Sequence, residues 1–170
     1  VVALRDRFPE LALDPRDSAA RGRWAATTRL TVPADRLIEV LTFLRDDGRT
    51  RFDMLVDLTC VDYLTFPDIT PARFGVTYGL LSTALNHRLW LKVFVGEDNP
   101  HVPTATGLWA AANWLEREVF DMFGIVFDGH PDLRRILTAV GMKHYPLRKD
   151  YPVTGRGERE ALAVIRRQDA

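Results

Sequence analysis

Three runs in the middle of the chain, residues 52–63, 74–81 and 89–95, are rich in apolar and β-branched side chains and are separated by turn-forming residues. Runs of this kind satisfy their backbone and bury their side chains only by pairing, so they dictate a sheet. The second and third meet near Asn86 and His87 and read as an antiparallel hairpin. The first is punctuated by Asp53, Asp57 and Asp62 and reads as a strand followed by a turn.

Helical spacing flanks this strand-rich centre. Val1, Leu4, Phe8 and Leu11 recur at helical intervals up to Pro9, predicting a short helix that lids the core. Residues 12–22, with Pro15, read as a loop, and residues 24–32 as a strand. Pro33 and Asp35 open a helix whose Leu37, Ile38, Leu41 and Leu44 form one apolar stripe ending at Gly48. Residues 64–72 and 96–106 hold paired prolines and read as loops. Residues 108–123 have helical spacing, closed by Gly124 as a C-cap. Beyond it, Pro131, Pro146 and Pro152 interrupt a stretch of little periodicity, read as an extended segment with a short helix near 131–137. A last helix is expected at 158–167, with Leu162 and Ile165 on one side. The expected fold is α+β, a two-layer sandwich of helices on a mixed β-sheet followed by an extended Pro-rich C-terminal segment. Residues 1–124 form the core domain and 125–170 a docking segment and tail.

Composition excludes several function classes. Lys plus Arg equal Asp plus Glu at 23 each, so no net field attracts nucleic acid or anionic lipid. The apolar runs fall far short of the ~20 residues that span a bilayer. A single cysteine, Cys60, cannot form an internal disulfide, and this chain alone cannot supply the thiolates of an iron–sulfur cluster or a zinc site. The chain opens on Val1 without the layout of a signal peptide, and a segment preceding it is expected.

The densest chemistry lies in residues 116–136. Glu116, Glu118 and Asp121 share one helix, with His130 just past its end, a set that can in principle perform acid–base work or bind a metal. Residues two apart on a helix diverge by about 200°, so Glu116 and Glu118 face different ways, whereas Glu118 and Asp121 at a spacing of three can be neighbours. The other reading is that these acids form salt bridges with Arg117, Arg134, Arg135 and a partner chain. Trp109, Trp114, Phe120 and Phe123 crowd the same helix, in a core or at an interface, since interfaces select aromatics. His130 lies in Asp-Gly-His-Pro, where Gly129 permits positive φ and Pro131 restrains its neighbour, a turn with a structural histidine. His87, His101 and His144 make no ligand pattern. The run Pro146-Leu147-Arg148-Lys149-Asp150-Tyr151-Pro152 is bracketed by prolines and suits docking, with Arg148 offered to a partner carboxylate.

Glu116, Arg117, Glu118, Asp121, Met122, Phe123, His130 and Arg134 fall in register with a long gapped signature: Glu-Arg-Glu, two residues, Asp, two apolar residues, six more, His, three more, Arg. In this the chain resembles the 30 kDa (C) subunit family of NADH:quinone oxidoreductase, respiratory complex I. The resemblance extends through residues 55–63 and the 146–152 run, where Tyr145 stands in place of the family's usual histidine and His144 is displaced by one. It implies a two-layer α/β sandwich and a non-catalytic, cofactor-free subunit in the peripheral arm. There it would support the large quinone-site subunit and an adjacent iron–sulfur subunit. The hetero-oligomeric complex would carry FMN, iron–sulfur clusters and quinone, move electrons from NADH to quinone and pump protons. The chain would meet the membrane only through that complex, on the cytoplasmic face of a bacterial inner membrane or the mitochondrial matrix side. The same chain type occurs in membrane-bound hydrogenases and formate hydrogenlyase, which the residues named do not separate from complex I. An independent acid–base enzyme built on Glu118, Asp121 and His130 is the remaining alternative.

Overall fold

A computed structural model describes residues 2–9, 11–13, 28–66, 70–139 and 141–157. The helix expected at 158–167 and the first part of the strand expected at 24–32 lie outside these residues. The element order is α1 (Val2–Arg7), β1 (Ala12–Leu13), β2 (Thr28–Thr31), a 3-10 turn (Ala34–Arg36) and α2 (Leu37–Asp46). Then follow β3 (Met54–Asp62), β4 (Phe74–Ser82), β5 (His87–Val95), β6 (His101–Pro103), α3 (Ala112–Phe123) and β7 (Val126–Asp128).

The first five strands form one sheet in the order β1-β2-β5-β4-β3. It is mixed: β2 runs parallel to β5, while β5, β4 and β3 are mutually antiparallel. The β4–β5 hairpin turns through Thr83 to Asn86, and Asn86 takes positive φ, a conformation that asparagine tolerates. The Asp53 carboxylate ties this turn to the start of β3 by accepting from the Thr83 backbone N–H at 2.9 Å and from its hydroxyl.

Alternation on the strands sorts the two faces. Leu58 and Cys60 of β3, Phe74, Val76, Tyr78 and Leu80 of β4, and Leu89, Leu91 and Val93 of β5 point inward and are buried. Leu37, Val40, Leu41 and Leu44 of α2 and Val119 and Met122 of α3 join the same core, as do Leu4 and Phe8. The stripe anticipated on α2 therefore holds, with Ile38 only partly buried and Val40 taking a central place. All three helices contribute to this one core, which makes the fold a two-layer α+β sandwich.

Four local differences from the sequence reading have physical reasons. Gly48 does not close α2. The helix ends at Asp47, and the Thr50 hydroxyl and the Phe52 N–H both donate to the Leu44 carbonyl, each at 2.9 Å. Residues 96–106 are not all loop: β6 pairs in parallel with β7, a ladder too short to leave a periodic signal. The helix α3 starts at Ala112, after a series of turns, rather than at residue 108. No helix forms at 131–137, where backbone N–H groups donate to the Asp121 carboxylate instead. The chain past residue 124 also packs on the core, since Ile125 and Phe127 are almost wholly buried.

Gly124 closes α3 in the left-handed conformation at φ 75°, and its N–H donates to the Phe120 carbonyl. A Cβ added there would lie 2.5 Å from the Tyr145 ring, so the glycine also lets that ring sit on the backbone. Gly124→Ala should therefore cost about 1–3 kcal/mol, whereas Gly48→Ala, with nothing within 4 Å, should stay near parent stability. Urea denaturation followed by circular dichroism measures both.

Candidate functional site: the signature helix and its C-terminal strip

Helix α3 turns its signature acids to different neighbours. Glu116 is fully buried. Its carboxylate accepts the Thr104 hydroxyl at 2.5 Å and the Ala105 N–H at 2.7 Å, fixing the loop that leads from β6 into the helix. Burial outweighs these two bonds and pushes its pKa up to about 7. Glu118 is exposed and pairs with nothing among the described residues.

Asp121 is fully buried too, in a different environment. One carboxylate oxygen accepts the backbone N–H groups of Ile136, Leu137 and Thr138 at 2.9, 2.7 and 3.0 Å. The other accepts Arg135 Nη1 at 2.8 Å and the Thr138 hydroxyl. Burial alone would raise its pKa, but the Thr138 hydroxyl, the loop N–H groups and Arg135 overcome that and hold it far below the usual carboxylate range. These consecutive N–H groups converge on one anion, so the segment is a turn instead of the short helix expected there.

The remaining signature residues brace the same strip. Arg117 is buried, donates to the Arg134 carbonyl at 3.2 Å and stacks 4.7 Å from the Trp114 ring. Arg134 itself is exposed and pairs with Asp132 at 2.9 Å. His130 Nε2–H donates to the Asn113 carbonyl at 3.1 Å, and its Nδ1 accepts the Asp132 N–H at 3.0 Å. A carbonyl only accepts and a backbone N–H only donates, so the neutral Nε2–H tautomer meets both. Gly129 has positive φ and Pro131 is exposed.

Arg148, within the Pro146–Pro152 run, turns inward. Its Nε donates to the Phe123 carbonyl at 2.6 Å, at the C-terminal end of α3. Its guanidinium lies 4.9 Å from the Phe74 ring and 4.6 Å from Tyr145. Arg73 is the second guanidinium against Phe74, and Arg135 the second against Tyr145. Arginines and rings thus form a ladder from β4 to the Asp121 turn. Arg73 anchors its far end by pairing with Asp62 at 2.9 Å, Glu97 at 2.6 Å and Asp150 at 2.9 Å. Asp62, whose side chain is inaccessible, also accepts the Leu64 and Lys149 N–H groups at 2.9 Å. Burial opposes its charge, yet Arg73 and those N–H groups hold its pKa down, and Asp62 in turn raises that of Arg73.

Glu116, Glu118, Asp121 and His130 are therefore not gathered at one place, since each serves a different segment. The donor set fits neither a metal nor a cluster. No group of three His, Cys, Asp or Glu side chains is arranged to hold an ion among the described residues, and burial pushes the Cys60 thiol up to about 12. The four aromatics divide: Trp109 and Phe123 are buried, Phe120 is half-buried and Trp114 is 62% exposed. Arg73, Glu97 and Asp62 were not legible as site residues. Their only signal was an unbalanced arginine at the mouth of an apolar strand.

The family described as respiratory-chain NADH dehydrogenase, 30 Kd subunit, matches residues 30–157. The chain belongs to this family. It is 54% identical over 136 residues to the NADH-quinone oxidoreductase C subunit of Caulobacter vibrioides, covering 79% of this chain and 66% of that protein. It is 43% identical over 164 residues to the corresponding C subunit of Verminephrobacter eiseniae, covering 89% and 81%. Among solved structures it resembles a trypsin-resistant fragment of Nqo5, with TM-score 0.65 and 36% identity, covering 78% of this chain and 96% of that one. A chain of an archaeal membrane-bound sulfane sulfur reductase shares the fold, with TM-score 0.72 and 21% identity over 97% and 91% of the two chains.

Two expected outcomes follow from the acids. Asp121→Asn leaves Arg135 without its buried anion and should cost about 3–5 kcal/mol. The native pKa lies below the unfolded one, so Asp121 contributes its stability at neutral pH and loses it as pH falls below about 4. The acid limb of a stability–pH curve should therefore be shallower in Asp121→Asn. Glu116 has the opposite sign: its native pKa of about 7 exceeds the ordinary 4.5. The native state therefore binds the extra proton, and stability falls as pH rises from 4.5 to 7. Glu116→Gln should match the parent at about pH 5 and exceed it at about pH 8 by on the order of 1–3 kcal/mol, read from urea midpoints.

Proposed function

We propose that this chain is a non-catalytic peripheral-arm subunit of a proton-pumping NADH:quinone oxidoreductase. It braces the large quinone-site subunit and an adjacent iron–sulfur subunit while other chains carry FMN, the clusters and quinone. Family membership and relatives named as NADH-quinone oxidoreductase C subunits support that assembly over a hydrogenase. The observation that carries the bracing role is where the signature side chains go. Its buried ionisable groups, Glu116, Arg117 and Asp121, all hold flanking backbone segments against α3. An acid–base enzyme would instead converge such groups on a substrate cleft.

Beside exposed charges such as Glu118 and Arg134, α3 and its strip offer large apolar side chains to solvent. Trp114 is 62%, Leu137 63% and Leu147 51% exposed. The buried network beneath makes this surface rigid, and rigid aromatic or aliphatic anchors are what a permanent interface uses. No helix among the described residues is long and apolar enough to cross a membrane. The chain reaches the cytoplasmic face of the bacterial inner membrane through its partners.

The test is a mild-detergent purification from native membranes through a tag on this chain, with mass spectrometry and an NADH:quinone assay of the eluate. Flavin, iron–sulfur and antiporter-like subunits with NADH oxidation are expected, whereas an unaccompanied chain sinks the proposal. Trp114→Ala should lower the chain's own stability by no more than about 1 kcal/mol, for the lost Arg117 stacking, and weaken its retention about 30-fold, as for loss of an interface anchor of about 2 kcal/mol.

A further inference from the structure

Strand β3 forms one edge of the main sheet, and β1, with two residues, forms the other. An edge strand turns alternate backbone groups away from the sheet, and the register decides which ones. The Tyr63 N–H donates to the Arg73 carbonyl at 2.8 Å, a pair that continues the Asp62/Phe74 register of β3 and β4. Hydrogen-bonded pairs alternate with non-bonded ones along an antiparallel ladder. Counting back by twos, Val61/Gly75, Thr59/Thr77 and Asp57/Gly79 bond across to β4. Leu58 and Cys60 therefore aim both N–H and C=O at the free edge, while their side chains are buried in the core. No other strand and no loop backbone among the described residues pairs with these groups.

The strand lacks the usual defences of an open edge. Met54–Asp62 contains no Lys, Arg or Pro. Its bulge lies between Leu55 and Asp57, ahead of the free groups, and its one buried acid, Asp62, is already neutralised by Arg73. Apart from Thr59 and the half-buried Asp57, the outward side chains of this stretch are apolar: Met54, Val56 and Val61 are exposed, as are Leu64 and Phe66 just past its end. An open apolar edge without charged guards invites pairing with another chain. Asp62 also accepts the Lys149 N–H, so the edge runs into the strip that bears the exposed Leu147.

We propose that β3 receives an extended segment of another subunit, which adds to the sheet as a further strand. Its backbone bonds the N–H and C=O of Leu58 and Cys60, and its apolar or β-branched side chains lie against Val56 and Val61. Main-chain bonds give such strand addition its affinity, and the alternating side chains give it specificity. The occupant carries no Pro at the paired positions, because each must return a donor as well as an acceptor. The inference rests on the reading of this chain as a subunit of a complex, and the added strand would continue the surface that α3 and its strip present.

The test compares backbone amide exchange, resolved to single residues by electron-transfer fragmentation, in the isolated full chain and in the complex purified from membranes. Thr59 and Val61 should be protected in both samples, since β4 holds their N–H groups, and this also reports that the isolated chain is folded. Leu58 and Cys60 should exchange freely in the isolated chain and slow by about a hundredfold or more in the complex. A second arm uses Cys60→Pro, which removes one outward donor and no bond to β4, a change that edge strands accommodate. It should lower retention of the chain in the complex about tenfold, whereas Cys60→Ala, which keeps the N–H, should preserve it. The exchange arm uses the parent chain and does not depend on either variant folding. Slow exchange of Leu58 and Cys60 already in the isolated chain would place a segment of this chain or a second copy on the edge and overturn the proposal. So would fast exchange there in a complex that contains the chain, or a folded Cys60→Pro chain retained as well as Cys60→Ala. Failure of the chain to enter any complex would defeat the bracing role as well, which separates the two failures.

Discussion

The buried carboxylate of Asp121 organises the stretch of the molecule that secondary structure does not. Residues 129–157 have no helix or strand among those described, so their backbone groups must find partners one by one. A single side chain on α3 satisfies three consecutive N–H groups and an arginine, turning a loose strip into a fixed surface. Without that anion, Arg135 loses its counter-charge and the start of the ladder that carries Tyr145 and Arg148.

The two buried acids of the helix illustrate how environment divides one residue class. Asp121 has five donors and stays ionised. Glu116 has two and is shifted toward its neutral form. Both serve as struts, yet their opposite pH signs set a stability maximum between an acid limb from one and a decline from pH 4.5 to 7 from the other. A strongly perturbed acid is thus not by itself a mark of catalysis, because a carboxylate buried to brace backbone is subject to the same desolvation as a catalytic one.

The sheet and the signature helix were legible in the sequence because their signals are local. Residues 52–63, 74–81 and 89–95 alternate or run apolar, and Gly124 stops α3 as an isolated glycine after a periodic run does. The β6–β7 ladder was hidden because three-residue strands ending at Pro103 carry no period. The destinations of Glu116, Arg73 and Arg148 were hidden for another reason. Helix geometry fixes the direction of a side chain, but its partner comes from whichever segment the tertiary fold delivers. Arg148 was anticipated as a hand offered outward, yet the rings of Phe74 and Tyr145 and the end of α3 occupy it. Trp109 and Trp114 look alike in sequence and lie on opposite sides of the burial divide.

The anchor at Arg73 also gives the fold a temporal order. Its bond to Asp62 spans 11 residues and can close as soon as β3 and β4 pair, while its bond to Asp150 spans 77. Closing the longer loop costs more chain entropy, and its far end leaves the ribosome later than Asp62 and Arg73. The sheet therefore forms around an arginine that already has one counter-ion and waits for the others. The strip then seals onto the paired strands, so a chain interrupted before residue 150 would leave Arg73 with its sheet counter-ion and without the strip's.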